Sequence, residues 1–410
     1  MKCRRHLTIC SSIPMNQITA GFGAFFLTHS QANKELRAQE PLIQSYIELL
    51  ISKLKEQVDG SSQGTVNISN WLNFVTFDII GDLASGEPFG CLETGLIHPW
   101  VKIMFSSIRD IIYIAALSHL PPPIFKAIMS GISCFMMKDL QADTDFAVER
   151  VASRLKKGTT RNDFMSPIIR ANDEHGMSIG EIEASFNILI VAGNFLIQVN
   201  PNLKRSLTGN MQGSETSATL LCGALYNLAL HPQILQTLLS ELRTKFSSRS
   251  QVNMAALQDL PYLNAVLEEC LRIYPPSAFN QARVVPPNGS IICGKFVPGG
   301  TAVGVASLGA SLSSSNWSDA GTFKPERWLG KPLDGDDRRS MQPFILGPRN
   351  CLGKNVRRDE IDIVSDPLRV RIHALRGESL VDEGPTILFV VGKATIDDEV
   401  EKSRRQHNSG

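Results

Sequence analysis

Apolar residues recur at intervals of three and four over much of the first half of the chain. The stretches PLIQSYIELLISKLKEQV, residues 41–58, and WLNFVTFDIIGDLA, residues 71–84, both show this spacing, which predicts helices. The pattern continues to about Gly193, in a segment that opens with a capping box formed by Ser178 and Glu181. The first half of the chain is therefore predicted to be mainly helical.

Prolines, glycines and asparagines interrupt this pattern between residues 194 and 213. The segment NFLIQVNPNLKRSLTGNMQ contains Pro201 and Gly209, so it should break or bulge a helix. Helical spacing resumes in SETSATLLCGALYNLALHP, and the helix LNAVLEECLRIY should end before Pro275. The stretch GSIICGKFVPGGTAVGVASL favours short strands and turns, whereas the charged tail beyond Asn355 indicates one strand, at TILFVV.

Composition and charge are those of a globular chain with no strong electrostatic partner. The 410 residues are 43% hydrophobic and 20% charged, and the net charge is +1. Such a chain can bury a large core, but it lacks the cationic field that binding to nucleic acid requires. The eight cysteines include no C-x-x-C pair, which favours reduced thiols over a disulfide framework or a structural zinc site.

One cysteine, Cys351, lies in the glycine-rich stretch PFILGPRNCLGKN. Gly347 and Gly353 allow a tight turn and a close backbone approach to a flat ligand, while Arg349 can pair with a carboxylate and Phe344 can pack on the ligand. A haem held by an axial cysteine thiolate has these requirements. The alternative is a structural cysteine in a turn, which is the commoner role of a free cysteine.

Two other patterns carry candidate chemistry. Glu269 and Arg272 stand three apart on one helical face and can form an ion pair, although this spacing is also common on solvated helices. The tetrapeptide GSET, residues 213–216, places Glu215 beside Thr216, and a carboxylate next to a hydroxyl can relay protons into a buried site. The alternative for GSET is an ordinary helix N-cap.

The spacing F-x-x-G-x-R-x-C-x-G, from Phe344 to Gly353, resembles the haem-binding signature of the cytochrome P450 monooxygenases. The E-x-x-R pair before YPP and the later stretch FKPERWL, which contains Arg327, occur in the order usual for that family. The resemblance implies a mainly α fold with small β-sheets. It also implies that Arg327 joins the Glu269–Arg272 pair in one structural network.

The same resemblance implies a set of site residues and a cofactor, haem b (iron protoporphyrin IX). Cys351 would be the metal ligand, and Glu215 and Thr216 would be the catalytic residues that deliver protons to bound oxygen. The implied cofactor-binding residues are Phe344, Gly347, Arg349, Gly353 and, for a haem propionate, Arg283.

The implied activity is insertion of one oxygen atom from O₂ into an apolar small molecule, in the manner of fungal enzymes of secondary metabolism. Electrons would come from NADPH through a reductase partner, and no nucleic acid is involved. The family resemblance implies the endoplasmic reticulum membrane, with peripheral membrane contact. Because the sequence shows no anchor, the cytoplasmic face and a soluble location are the alternatives.

The resemblance has three interruptions, which predict an incomplete fold. Residues 1–32 form an atypical N-terminus without the family's anchor and first elements, residues 33–355 a partial cytochrome P450 domain, and residues 356–410 an atypical tail. Within the domain, residues 194–213 are predicted to be an insert between VAG and GSETSAT, the halves of one motif. A mis-spliced gene model or a decayed gene would explain this pattern. The alternatives to an active enzyme are thus an inactive remnant and a helical interaction protein without haem.

Overall fold

A computed structural model gives the fold of the chain. It describes residues 29–60, 65–102, 117, 120–158, 161, 163, 166, 214–248, 251–278, 283–346, 351, 372–374 and 388–391. The capping box at Ser178, the predicted insert at 194–213 and the motif residues Gly347, Arg349 and Gly353 lie outside these described residues.

Helices dominate the described residues. They are α1 (His29–Gly60), α2 (Ile68–Ser85), α3 (Cys91–Thr94), α4 (Pro122–Lys156), α5 (Ser214–Leu230), α6 (Pro232–Lys245), α7 (Met254–Gln258), α8 (Pro261–Ile273) and α9 (Ser307–Leu312). Two single turns of 3₁₀ helix follow, at Pro325–Trp328 and Arg338–Ser340. The predicted mainly α fold is therefore confirmed, and the helix α8 ends before Pro275 as the sequence indicated.

The strands are short and form small antiparallel sheets. They are β1 (Thr65–Asn67), β2 (Arg283–Val284), β3 (Ser290–Ile292), β4 (Lys295–Val297), β5 (Ala302–Val303), β6 (Ile372–Ala374) and β7 (Leu388–Val391). The order of the three-stranded sheet is β1-β7-β6, while β2 pairs with β5 and β3 with β4. The strand predicted at TILFVV corresponds to β7, and its partner β1 comes from the opposite end of the described chain.

Helix α2 shows how local sequence sets an element. The Asn67 side chain accepts a hydrogen bond from the Asn70 backbone N–H at 3.4 Å, which caps the N-terminus of the helix. Gly86 ends it with a φ of 73° and donates to the Asp82 carbonyl at 2.7 Å, in a left-handed conformation that glycine adopts without strain. Both ends of α2 are therefore fixed by residues close to it in sequence.

The hydrophobic core lies where α2, α5 and α8 pack together, with α1 covering α2. Helix α2 is almost wholly buried, since it contributes aromatic and aliphatic side chains on every side. A side chain at Gly81 would meet the Phe89 ring at 2.7 Å, so that close approach requires glycine. Helix α8 is packed into this core, and it carries the first of the candidate site residues.

None of the described helices combines the length with the apolar composition that a membrane-spanning segment needs.

Candidate functional site

The pair Glu269–Arg272 lies on the inward face of α8. Both side chains are completely buried, among the apolar residues of that helix. Arg272 donates from Nε to Glu269 Oε2 and from Nη2 to Glu269 Oε1, each at 2.8 Å, so the two planar groups meet in a bidentate ion pair. The solvated-helix alternative is wrong for this pair.

Arg272 has a hydrogen-bond acceptor for every N–H of its guanidinium group. Besides the two bonds to Glu269, Nη1 donates to the carbonyls of Ser311 at 2.9 Å and Ala320 at 2.6 Å, and Nη2 donates to the carbonyl of Thr322 at 3.1 Å. Buried cations are tolerated only when their donors are satisfied in this way. Arg272 therefore ties α8 to α9 and to the irregular segment that follows α9.

Glu269 is the acceptor around which a second segment assembles. Its Oε1 accepts from the Lys324 backbone N–H at 2.9 Å and from Arg327 Nε at 3.3 Å. Its Oε2 accepts from the Trp328 indole Nε1 at 2.9 Å. The structure thus brings Glu269, Arg272 and Arg327 together, as the resemblance implied, and adds Trp328 to them.

Arg327 has a second carboxylate partner, Asp336. Nη1 of Arg327 lies 2.9 Å from both carboxylate oxygens of Asp336, and the side chains of both residues are fully buried. Burial raises the pKa of Asp336, but hydrogen bonds from the Ser318 backbone N–H, from Arg327 and from the Ser318 hydroxyl outweigh that effect. The pKa of Asp336 therefore lies below its ordinary value, so this carboxylate is ionised at neutral pH.

A series of tight turns leads from Asp336 towards Cys351. Backbone N–H groups at Ser340, Met341 and Ile345 each donate to a carbonyl three residues earlier in the chain. The Met341 side chain is buried in the core, and Phe344 packs against the core from its edge. The loop then closes on itself, because the Cys351 backbone N–H donates to the Phe344 carbonyl at 2.9 Å.

Cys351 differs from the buried cysteines in its surroundings. It is a half-buried, reduced thiol in a loop. Cys270 and Cys91 are buried on helices, and burial raises the pKa of both thiols, that of Cys91 to about 11. The interior cysteines are therefore inert, whereas Cys351 is placed where a ligand can reach it.

The remaining candidate residues lie on helix α5 and strand β2. Glu215 and Thr216 occupy the first turn of α5, and Thr216 is half-buried, a position that suits both a proton relay and a helix N-terminal role. Arg283 lies on strand β2 with its side chain exposed, paired across the ladder with Val303.

Sequence reasoning missed two members of the buried network, Trp328 and Asp336. Trp328 is next to Arg327, and an indole is often hydrogen-bonded when it is buried, so FKPERWL contained a usable signal. Asp336 lies in the polar stretch DGDDRRS, where any of three aspartates could have been the partner. Only the three-dimensional path of the loop distinguishes Asp336 from them.

The cavity of about 420 Å³ described by the structure belongs elsewhere. It is lined by Gln236, Leu239, Ser240, Arg243 and Thr244, all on the outer side of helix α6. Because a single helix cannot enclose a small molecule, this depression is not a candidate active site.

Comparison with known proteins places these features in a family. The model of the family described as "Cytochrome P450" matches residues 24–194 and 203–364. The cytochrome P450 monooxygenase aclL of Aspergillus oryzae is 39% identical over 339 residues, which are 82% of this chain and 64% of that protein. The cytochrome P450 monooxygenase lcsI of Purpureocillium lilacinum is 39% identical over 336 residues, or 81% and 61% of the two chains.

A relative with a more specific name is the averantin hydroxylase of Dothistroma septosporum. It is 34% identical over 340 residues, which are 82% of this chain and 60% of that protein. The chain thus spans less than two thirds of the length of these three curated relatives.

The fold is shared with a solved structure as well. The crystal structure of the cytochrome P450DA haem domain superposes with a TM-score of 0.68 at 17% identity, over 89% of this chain and 73% of that one. The resemblance expected from the thiol loop and the E-x-x-R helix is therefore confirmed, and with the family match spanning most of its residues the chain belongs to the cytochrome P450 family.

Proposed function

We propose that the chain is a haem-thiolate monooxygenase, which inserts one oxygen atom from O₂ into an apolar small molecule. The observation that carries this proposal is the position of Cys351, a half-buried reduced thiol on a loop that is closed against Phe344. The relatives' names, which include monooxygenases and a hydroxylase, support the reaction class.

The described residues fit a haem on chemical grounds. A thiolate is a soft ligand suited to iron, and Cys351 offers one outside any disulfide. Phe344 lies at the edge of the core, seven residues before Cys351, where an aromatic ring can pack on a flat apolar ligand. A thiolate with an aromatic ring in the same loop therefore suits an iron porphyrin better than a hard divalent cation, which prefers oxygen ligands.

Each residue of the site has a proposed task. Cys351 holds the iron, and the network of Glu269, Arg272 and Arg327 keeps the loop before it in place. Thr216 and Glu215, in the first turn of α5, pass protons towards the oxygen site. When bound through the Cys351 thiolate, haem would supply the chemistry that cleaves the O–O bond. Gly347, Arg349, Gly353 and Arg283 remain proposed cofactor contacts.

The proposed setting follows from the relatives and the family. All three relatives named above come from fungi, and we propose a role in fungal secondary-metabolite biosynthesis. The partners would be an NADPH-dependent reductase and an apolar substrate. The cytoplasmic face of the endoplasmic reticulum is the proposed location.

The test is a spectrum of the full chain with haem and a matched pair of cysteine variants. The reduced carbon monoxide complex should show the red-shifted absorption of thiolate ligation. Cys351→Ala should abolish this band, whereas Cys293→Ala, at an exposed cysteine in the β3–β4 turn, should leave it unchanged. An unchanged band in Cys351→Ala would overturn the assignment of the ligand.

The same experiment separates the proposal from its alternatives. If the chain is a helical interaction protein, neither the wild type nor the cysteine variants would take up haem. An inactive remnant would bind haem poorly or not at all, and it would show no substrate-dependent consumption of NADPH in the presence of a reductase.

A further inference from the structure

Glu269 cannot be the main counter-ion of Arg327. A carboxylate offers about four lone-pair positions, and five N–H groups lie within hydrogen-bond distance of Glu269. The contact with Arg327 Nε, at 3.3 Å, is the longest of the five, whereas both contacts with Arg272 are 2.8 Å. The charge of Glu269 is therefore already balanced by Arg272.

Asp336 supplies the missing negative charge. Both of its oxygens lie 2.9 Å from Arg327 Nη1, and one of them also accepts from the Ser318 backbone N–H at 2.8 Å and from the Ser318 hydroxyl at 2.9 Å. With Asp336 included, two buried carboxylates face two buried guanidinium groups. Without it, a guanidinium charge would be buried with no carboxylate of its own, an arrangement that is strongly destabilising.

Asp336 also stands at the start of the turns that lead to Cys351. The next residue, Asp337, donates its backbone N–H to the Asn316 carbonyl at 2.8 Å. Arg338 then reaches back, donating from Nε to the Arg327 carbonyl at 2.8 Å and lying over the Trp328 ring at 5.8 Å. The beginning of the loop is therefore held on Arg327 from two sides, by its side chain and by its carbonyl.

We propose that Asp336 is a positioning residue for the Cys351 loop, acting as the counter-ion of Arg327. This inference rests on the proposed role of Cys351 as the iron ligand. The carboxylate fixes the first turn of the segment 336–346, and the turns and the Phe344–Cys351 hydrogen bond transmit that placement to the thiol. Loss of the charge would loosen the loop while leaving the helices in place.

The experiment compares two adjacent aspartates in the full chain. Asp336→Asn keeps the shape of the side chain, but one of its two acceptors becomes a donor that faces Arg327 or Ser318. Asp337→Asn is the control, because Asp337 is 44% exposed and pairs with Arg339, which is 89% exposed. Asp336→Glu is the second variant, since it keeps the negative charge.

The first measurement needs no haem. Alkylation of Cys351 by iodoacetamide, followed by peptide mass spectrometry, should be roughly tenfold faster or more in Asp336→Asn, because losing a charged hydrogen-bond acceptor favours local opening of the loop. Asp337→Asn should label at the wild-type rate. Should Asp336→Asn fail to fold, Asp336→Glu carries the test, and its labelling rate should stay close to that of the wild type.

The second measurement uses the haem-loaded chain and the carbon monoxide spectrum. Asp336→Asn should lower the fraction of thiolate-ligated complex relative to Asp337→Asn. Two results would overturn the inference. One is that Cys351 is labelled at the same rate in Asp336→Asn and Asp337→Asn. The other is that Cys351 in Asp336→Glu is labelled as fast as in the unfolded chain. If the wild type shows no thiolate band but Asp336→Asn still labels faster, the proposed function fails while the positioning role stands.

Discussion

The indole nitrogen of Trp328 donates to Oε2 of Glu269 at 2.9 Å, so a tryptophan shares the carboxylate that anchors the buried arginines. A hydrogen bond to a charged acceptor is stronger than one between neutral groups. Trp328 thus does more than fill space beside Arg327, because it helps to hold the 3₁₀ turn Pro325–Trp328 on helix α8.

Replacing Trp328 by phenylalanine should destabilise the chain by about 1.5–3 kcal/mol beyond the loss of ring volume, since the short hydrogen bond from its indole to a charged acceptor is lost. Trp100→Phe is the control. Trp100 is only 3% exposed, and its Nε1 has no hydrogen-bond partner among the described residues. Urea unfolding of both variants measures the difference. An equal loss in the two would mean that packing, and not the hydrogen bond, accounts for the effect of Trp328.

A second buried ion pair lies far in sequence from the thiol loop, and loss of its arginine should also lower the free energy of unfolding. Arg154 and Asp163 are both fully buried and meet at 2.7 Å through Arg154 Nε and Asp163 Oδ2. Arg154→Gln should cost about 3 kcal/mol of unfolding free energy, because buried Asp163 would then face only Arg161 among the described cationic side chains, whose Nε lies 3.8 Å from Asp163 Oδ2. The control Arg339→Gln removes an exposed ion pair and should cost about 0–1 kcal/mol. Thermal or urea unfolding curves would refute this if both variants lost the same amount.

The cysteines should differ sharply in their reaction with iodoacetamide at pH 8. Cys293 is exposed, whereas Cys91 and Cys270 are 1% and 0% exposed, and burial raises the pKa of both buried thiols. Peptide mass spectrometry should therefore find the Cys293 peptide labelled first, and the other two only after addition of urea. Labelling of Cys270 as fast as Cys293 in the native protein would show that α8 does not stay packed.

Stability should also fall at high pH because of Tyr262. The Tyr262 hydroxyl donates a hydrogen bond to Glu326 Oε1 at 3.0 Å. Burial and the nearby Glu326 carboxylate raise the pKa of Tyr262 from 10.0 to about 12. A raised folded-state pKa contributes stability that is complete below about pH 10 and disappears as the pH rises towards 12. The advantage of the wild type over Tyr262→Phe in urea unfolding should therefore shrink by on the order of 2 kcal/mol across that interval.

Exposed Tyr226 offers the comparison for that experiment. Tyr226→Phe should change the free energy of unfolding by less than about 0.5 kcal/mol at pH 8. A Tyr262→Phe difference that is the same at pH 8 and pH 12 would contradict the raised pKa.

The sequence predicted those parts of the fold in which contacts are local. Helix α2 follows from its apolar spacing, and the Glu269–Arg272 pair follows from helical geometry, because residues three apart face each other. Helix α9, by contrast, was not predicted, since its six residues are too few to show a period. Local pattern is therefore informative only where an element is long enough to repeat.

The candidate site was predictable only in part. Motif spacing identified Cys351 and Arg327, but neither Asp336 nor the Arg154–Asp163 pair could be found from it. In both cases an arginine on regular structure meets an aspartate nine residues later, in irregular chain, where no periodicity relates the two positions. Such contacts are fixed by the packing of loops.

The pairing of β1 with β7 has a consequence for how the protein is made. Thr65 lies opposite Val390, about 325 positions further along the chain. At a synthesis rate of about 5–20 residues per second, strand β1 leaves the ribosome roughly 15–65 s before its partner exists. During that time its backbone donors and acceptors are open to other strands, which is the condition that favours aggregation. Strand β1 can therefore take its place in the sheet only after synthesis has passed Val391.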